Sequence, residues 1–162
     1  MARNIKQESA AAARGVLDAY WPKQYFPVDP VGIARDLGVK VFSAQLGSNV
    51  SGLLSKRPNE EAEIYVDIDD SLVRQRFTVA HELGHYLERT LDDKDHVSFV
   101  DRRDGSFNLH EFFANEFAGN LLMPADEVKR VNKSKRSIAE LAAYFGVSVE
   151  AANVRLRKLD LK

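Results

Sequence analysis

The stretch His81-Glu82-Leu83-Gly84-His85 sets two histidines four residues apart, with a carboxylate between them. Positions four apart on an α-helix differ by roughly 40° around its axis, so both imidazoles can reach one metal ion. Glu82 points to the side of that pair, where a catalytic base is needed. The spacing therefore predicts two ligands of a zinc site and a base on one helix.

The residues before and after this motif favour a helix. Asp69, Asp70 and Ser71 can cap its start. Apolar side chains then recur at helical spacing and predict a buried stripe, with the two histidines at its edge. The stripe comprises Val73, Phe77, Ala80, Gly84 and Leu87. Because Gly84 has no side-chain carbon, we expect another segment to approach the helix closely there.

Zinc catalysis needs a third protein ligand, and the five-residue motif alone also arises by accident. The two candidates are His110 and Glu111, at the start of a second amphipathic helix. Its apolar stripe comprises Leu109, Phe113, Phe117 and Leu121. Adjacent helical positions project about 100° apart, so only one of the two candidates can face the metal. Glu111 is favoured because Asn115 lies one turn later and can orient a histidine through its other ring nitrogen.

Two other sources of ligands carry less weight. The metzincin continuation of the motif is absent, because Glu88 and Leu91 stand where that pattern needs glycine and histidine. Asp92, Asp93, Asp95 and His96 form a polar stretch that is typical of a solvated loop.

Three further segments strengthen the interpretation. Phe77–Ala80 reads Phe-Thr-Val-Ala before the first histidine, Glu111–Ala118 reads Glu-x-x-Ala-Asn-x-Phe-Ala, and Leu121–Pro124 reads Leu-Leu-Met-Pro. With these segments the chain resembles the ImmA/IrrE family of metallopeptidases. The similarity runs from Val28 to Pro124, and the two downstream segments are more specific than the histidine motif.

The resemblance implies a zincin-like domain in which Glu111 is the third ligand. It also implies that Asn115 contacts one of the metal-binding side chains without binding the metal itself. Zinc suits two histidines and one carboxylate, with manganese and iron as alternatives. A zinc ion held in this way lowers the pKa of its water towards ~7, and Glu82 then acts as general base in peptide hydrolysis. Phe113 departs from the family pattern, which often has a second acidic residue there.

Hydrolysis also needs a donor that stabilises the developing oxyanion, usually a Tyr, His or Arg. The residues available for this role are Tyr65, Tyr86, His110 and Tyr144. Tyr86, next to the second histidine, is more typical of a packing residue.

Together these features predict a zinc-dependent endopeptidase that makes a limited cut in a protein substrate. The resemblance implies that the substrate is a helix-turn-helix repressor, whose cleavage releases genes in a stress response or a mobile element. Two other functions stay open: a non-proteolytic antirepressor or regulatory binding module with a structural metal, and a DNA-binding regulator acting through the C-terminal helices. Neither accounts for a base, three ligands and an orienting amide occurring together.

The remaining sequence predicts an α+β fold that is mainly helical, with a small antiparallel sheet. Helices are expected at 9–20 and 30–37, and strands at 39–42, 51–55 and 63–67. The last two strands form a hairpin just before the motif helix, and its edge can pair with an extended peptide. Residues 1–126 of the 162-residue chain are assigned to this peptidase domain.

Composition narrows the setting of the protein. The chain has no cysteine, which excludes disulfides and thiolate ligands. Charged residues interrupt the N-terminal segment where a signal peptide would need an apolar core, and no stretch is long enough for a membrane span. A cytoplasmic protein without a membrane partner is therefore expected.

Residues 127–162 are predicted to form a basic extension packed on the first domain. They contain nine Lys or Arg against four Asp or Glu, whereas residues 1–126 contain 14 basic and 20 acidic residues. A capping box at Ser137 and Glu140, a turn at Gly146–Ser148 and a helix to Leu159 give the helix-turn-helix outline. This outline predicts either contacts with DNA or a partner, or packing alone. The candidate contact residues are Lys133, Lys135, Arg136, Asn153, Arg155, Arg157 and Lys158.

Overall fold

The computed structural model describes residues 4–91, 97–102 and 108–162. Within these ranges the elements follow one another as α1 (Ile5–Tyr20), α2 (Pro30–Asp36), β1 (Lys40–Ala44), β2 (Val50–Lys56), β3 (Glu63–Asp67), α3 (Leu72–Leu91), β4 (Val97–Arg102), α4 (Leu109–Leu122), α5 (Ala125–Asn132), α6 (Ile138–Phe145) and α7 (Val149–Lys158). This arrangement confirms the predicted α+β fold class. The polar stretch at 92–96 lies outside the described residues. Among the described helices, none has both the length and the apolar character needed to cross a membrane.

Local sequence signals fix where several helices begin and end. The side chain of Asp29 accepts a hydrogen bond from the second helical residue of α2, and Pro30 supplies a first residue whose φ is already helical. Ser137 and Glu140 form the predicted capping box at the start of α6. Gly146 then ends α6 with a left-handed φ of 65°, which turns the chain into α7.

The four strands form one sheet in the order β1-β3-β2-β4. β2 is antiparallel to both β3 and β4, whereas β1 is parallel to β3. The predicted hairpin is therefore present as β2 and β3, but the sheet is mixed rather than wholly antiparallel. The reason is that β1 and β2 are not neighbours in the sheet. β3 lies between them and runs antiparallel to β2 and parallel to β1.

Both strands of the hairpin lie inside the sheet. β1 pairs with the outer edge of β3, and β4 pairs with the outer edge of β2. The expectation that the hairpin offers a free edge to a peptide is therefore wrong. The outer strands in the described part of the chain are β1 and β4. The sequence did not indicate β4, because its pairing with β2 joins residues at least forty positions apart, which no local pattern encodes.

The motif helix α3 is held between the sheet and α4. It contacts β2 and β3 as well as α4, and α4 also packs against α1. Ala80 and Leu83 of α3 are fully buried, as are Leu54 of β2 and Ile64 of β3. Burying one such aliphatic side chain contributes about 1.5–3 kcal/mol, so this packing fixes the histidines relative to the sheet.

The C-terminal helices share the hydrophobic core with the rest of the protein. Phe145 of α6 and Leu156 of α7 belong to the same buried cluster as the core residues of α1, α3 and α4. A polar contact adds to this packing, since Nε of Arg76 on α3 donates to the carbonyl of Gly146 at 3.0 Å. The division of the chain at residue 126 stays a prediction.

Arg155 has a structural role rather than the predicted one. Its residue is only 6% exposed. Its Nε donates to the carbonyl oxygen of Met123 at 2.9 Å, and its Nη2 donates to Oδ1 of Asn120 at 3.0 Å. The expectation that Arg155 contacts DNA or a partner is therefore wrong, because its guanidinium lies inside the protein and fastens α7 to the end of α4.

Replacing Arg155 by Met should lower the free energy of unfolding by about 1–3 kcal/mol, because it leaves the Met123 and Asn120 acceptors buried without a donor. Arg157→Met, at an exposed position of the same helix, is the control and should change stability by less than about 0.5 kcal/mol. Urea unfolding followed by circular dichroism measures both. Equal effects of the two substitutions would contradict the fastening role.

Candidate metal centre

α3 and α4 cross at a glycine. A side-chain carbon built on Gly84 would lie 2.9 Å from Cα of Ala114 and 3.2 Å from Cβ of Phe117. These distances leave no room for a methyl group, so the close approach expected at Gly84 is confirmed. The crossing brings Glu111, three residues before Ala114, beside the two histidines of α3.

His81, His85 and Glu111 form a compact group of metal-binding side chains. Nε2 of His81 lies 3.0 Å from Oε2 of Glu111, and Nε2 of His85 lies 2.9 Å from Oε1. The imidazole rings stand nearly perpendicular, at 85°, with their centroids 4.8 Å apart. One ligand atom from each residue lies within 4.8 Å of the other two. Two nitrogens and one carboxylate therefore converge on one point.

Glu111 carries the negative charge of this group. Burial works against its ionisation, but hydrogen bonds and charge interactions with His81 and His85 outweigh that effect and hold the pKa of Glu111 well below its usual range. Its side chain keeps 17% exposure, compared with 4% and 1% for the two histidines. Solvent therefore reaches the group from the side of Glu111.

Asn115 supports His81 from the opposite side of the ring. Oδ1 of Asn115 lies 2.9 Å from Nδ1 of His81. With an amide oxygen at this position, Nδ1 carries a proton, so a neutral ring that binds a metal has its lone pair on Nε2. This is the tautomer that a metal ligand needs when Nε2 coordinates.

Glu82 is fully buried where β2 packs on α3. A carbon built on Gly52 of β2 would lie 3.0 Å from Oε1 of Glu82 and 2.5 Å from Cγ2 of Thr78. The pairing of β2 with β4 shifts register between Val50 and Gly52, a local irregularity that changes where a strand points. Gly52 thus lets the sheet backbone approach the carboxylate. No local sequence pattern indicates this role, which depends on a contact between distant elements.

His110, the rival third ligand, is directed to another partner. Its Nδ1 lies 2.7 Å from Oε1 of Glu88, a residue that is only 1% exposed. Glu111, and not His110, contacts both histidines of the motif. Sequence reasoning missed Glu88. Its spacing of three after His85 puts it on the same helical face, and that spacing was the available signal.

Tyr65 does not lie on the side of the sheet that faces the metal centre. It alternates along β3 with Ile64 and Val66, which are buried, and Val66 is paired with Gly52 beside Glu82. Its ring stacks on Phe42 at 5.3 Å between centroids, on the opposite face. The expectation of Tyr65 as an oxyanion donor is therefore wrong, because successive side chains of a strand point to opposite faces.

The other two tyrosines are engaged elsewhere. The hydroxyl of Tyr144 donates to Oε1 of Glu127 at 2.6 Å and accepts a hydrogen bond from Arg130. Burial and the neighbouring Glu127 raise the pKa of Tyr144. Tyr86 is half-buried and packs against the hydrophobic core. The structure brings neither hydroxyl into the group formed by the histidines and Glu111.

The basic side chains of the C-terminal unit differ in their surroundings. Nζ of Lys158 pairs with the buried carboxylate of Glu116 on α4. Lys158 is nevertheless exposed, and the other exposed members of the predicted contact set are Lys133, Lys135, Arg136, Asn153 and Arg157. Of these, Arg136 lies over the ring of Tyr144, 5.6 Å from its centroid. Contacts of these exposed residues with DNA or a partner stay a prediction.

The donor set fits a zinc ion. Imidazole nitrogen and carboxylate oxygen are zinc ligands, and catalytic zinc sites use three protein ligands. The three ligand atoms are close enough for one ion to contact all of them. Two neutral imidazoles and one carboxylate leave a divalent ion with net positive charge, and the same donors also accept manganese or iron.

A family described as IrrE N-terminal-like domain matches residues 34–157 of this chain. The chain belongs to this family. The match confirms the resemblance to the ImmA/IrrE metallopeptidases and extends from α2 through both C-terminal helices. The IrrE-like domain therefore includes α7, whose Arg155 binds the end of the Leu-Leu-Met-Pro segment.

Two named relatives share sequence with this chain. "Uncharacterized immunity region protein 2" of Bacillus phage phi105 is 25% identical over 134 residues, which cover 82% of each chain. "Radiation response metalloprotease IrrE" of Deinococcus radiodurans is 37% identical over 86 residues, which cover 49% of this chain and 26% of the relative. This chain thus spans about a quarter of the second relative.

Asn115→Leu should weaken zinc binding by about 10–100-fold, because the amide no longer orients His81. Asn153→Leu, the same change at an exposed position of α7, should leave zinc affinity unaltered. Competition of each purified variant with a fluorescent zinc chelator measures the affinity, and circular dichroism checks the fold. An unchanged affinity in Asn115→Leu would contradict the orienting role.

Proposed function

We propose that this IrrE-like domain is a zinc-dependent endopeptidase that makes a limited cut in a protein substrate. The observation that carries the proposal is the contact of Glu111 with both imidazoles, next to a fully buried Glu82. Three donors and an adjacent base are the parts that a zinc peptidase requires. The name of the Deinococcus relative, a radiation response metalloprotease, supports the same class of activity.

Each residue of the centre has a defined task in this reaction. His81, His85 and Glu111 would hold the ion. When bound, zinc supplies a Lewis acid that lowers the pKa of water towards ~7 and stabilises negative charge on the carbonyl oxygen of the scissile bond. Glu82 takes the proton of the attacking water and returns it to the departing amine. Asn115 keeps the Nδ1 proton on His81, so the Nε2 lone pair stays available.

The surroundings of Glu82 favour a catalytic over a purely structural centre. A structural metal site needs its ligands but has no use for a further buried carboxylate beside them. This argues against a non-proteolytic binding module with the same ligands.

We further propose that the substrate is a helix-turn-helix repressor in the cytoplasm and that its cleavage releases repressed genes. The phage relative is named for an immunity region, and the other is named for a radiation response. Both names are consistent with an antirepressor in a mobile element or a stress response. The alternative of a DNA-binding regulator is less well supported, because Arg155 is buried and Lys158 pairs with Glu116.

Glu82→Gln should reduce cleavage by about 10²–10⁴-fold, because the amide cannot accept the proton of the attacking water. Co-expression with helix-turn-helix repressors encoded near this protein, followed by detection of a repressor fragment, measures the effect. Elemental analysis should find the same zinc content in Glu82→Gln as in the wild type. His85→Gln is the control that loses zinc and cleavage together. Equal fragment yields from Glu82→Gln and the wild type would exclude Glu82 as the base.

Gly52→Ala should lower the rate of repressor cleavage by about 10–10²-fold with zinc content unchanged, because the added methyl group would lie 3.0 Å from Oε1 of Glu82 and displace the carboxylate by a few tenths of an ångström. The same methyl group would also collide with Cγ2 of Thr78. Adding Thr78→Ser removes that carbon and should recover part of the activity. A Gly52→Ala enzyme with full activity would contradict the close approach of β2 to the base.

A further inference from the structure

A groove of about 450 Å³ lies between α3, α4 and α7. α4 packs against α3, and it binds α7 through its contacts with Arg155 and Lys158. α4 therefore forms the floor, and α3 and α7 form the walls. The lining residues that matter below are Arg74 and Phe77 of α3, Asn115 and Gly119 of α4, and Glu150 and Val154 of α7.

The position of α7 in this groove indicates a role for the helix-turn-helix unit other than DNA binding. In a DNA reader, the N-terminal part of the second helix enters the major groove. Here that part supplies Ser148, Glu150, Ala151 and Val154 to the lining of the groove. These residues line the same groove as residues of α3 and α4. The helix pair is thus built to complete a groove beside the metal centre.

The groove has an apolar surface and an exposed apolar border. Phe77, Val154 and Met123 are among its lining residues. Leu72, the first residue of α3, directly follows the lining residue Ser71 and is 76% exposed. Val149, the first residue of α7, directly follows the lining residue Ser148 and is 45% exposed. Large apolar side chains that flank a concave surface mark sites where a partner binds.

Each of the two walls carries one exposed charged side chain that forms no ion pair with a described residue. Arg155 is bound to Asn120 of α4, and Lys158 is paired with Glu116 of α4, so these three charges already have partners. Arg74 on α3 and Glu150 on α7 are exposed and have no ion-pair partner among the described residues. An occupant that satisfies both has an acidic side chain towards α3 and a basic side chain towards α7. Its apolar side chains lie between them.

We propose that this groove docks an amphipathic helix of the protein substrate, with an apolar stripe on the floor, acidic residues towards Arg74 and basic residues towards Glu150. The proposal rests on the proposed peptidase function. A helix is the occupant because three helices and no strand line the groove, so an extended peptide finds no backbone edge to pair with. Recognition must then use side chains arranged on one face.

Asn115 connects the groove with the metal centre. It lines the groove, and its Oδ1 contacts Nδ1 of His81. A helix docked over α4 at Asn115 is therefore separated from His81 by this one side chain. Docking explains how a limited cut can be confined to one site of a folded substrate.

Gly119 offers a test that preserves the fold. A carbon built on Gly119 meets nothing within 4 Å, although the residue lines the groove. Gly119→Leu therefore fills the groove without a clash, and replacing a helical glycine also favours the helix. Gly15 on α1 is exposed and equally open, so Gly15→Leu is the matched control outside the groove.

The probe is a displayed library of stapled helical peptides, each of about 16 residues or roughly four turns, with varied apolar positions and flanking charges. Selection uses Glu82→Gln, so bound peptides stay intact. Selected peptides should have an acidic and a basic flank and should perturb backbone NMR signals of Gly119, Ala151 and Val154. Gly119→Leu should weaken binding of the best peptide at least about tenfold, and Gly15→Leu should not.

Charge reversal tests the orientation. Arg74→Glu should weaken the selected peptide, and exchanging the acidic flank of the peptide for a basic one should restore binding to that variant. The proposal is overturned if no selected peptide loses affinity in Gly119→Leu, if a proline in the peptide centre leaves binding intact, or if the signals report a second copy of this chain in the groove. Docking is measured without hydrolysis, so its failure and the failure of the Glu82→Gln cleavage experiment are separate results.

Discussion

The contact of one carboxylate with two imidazoles depends on how closely two helices pack. Glu111 reaches His81 and His85 because α4 crosses α3 directly over Gly84. A side chain at Gly84 would meet the backbone of Ala114 and push α4 outwards, and the carboxylate would move away from both rings. The sheet on the other side of α3 and α1 beyond α4 keep the pair in this position. The metal centre is thus a consequence of core packing.

α4 links the metal centre with the C-terminal helices. It supplies Glu111 and Asn115 to the centre, and its residues Glu116 and Asn120 bind the ammonium of Lys158 and the guanidinium of Arg155. Part of the positive charge that distinguishes residues 127–162 is therefore used inside the protein, against the acidic and carbonyl groups of α4. The same helix forms the floor of the groove, so the chemistry and the proposed docking share one rigid element.

The parts of the fold and the site that were predicted correctly depend on neighbours along the chain. The helix around His81 and His85, the capping box of α6 and the close approach at Gly84 follow from helical periodicity and from residue size. The wrong expectations depended on residues far apart in sequence. Whether Tyr65 can act as an oxyanion donor depends on which face of β3 meets α3, and this face is set by distant contacts. Whether Arg155 can contact DNA depends on its hydrogen-bond acceptors at the end of α4, which lie about thirty residues earlier in the chain.

Spacing along the chain was enough to place two histidines and a base on one helix, and to favour Glu111 over His110 as the residue that completes the set. Tertiary packing was needed to establish that β4 closes the hairpin edge, that Gly52 lies against Glu82 and that one face of α7 lines a groove. The physical reason is that helical spacing is a local property of covalent geometry. Pairing between strands and the burial of charges depend on contacts that form only when distant segments pack together.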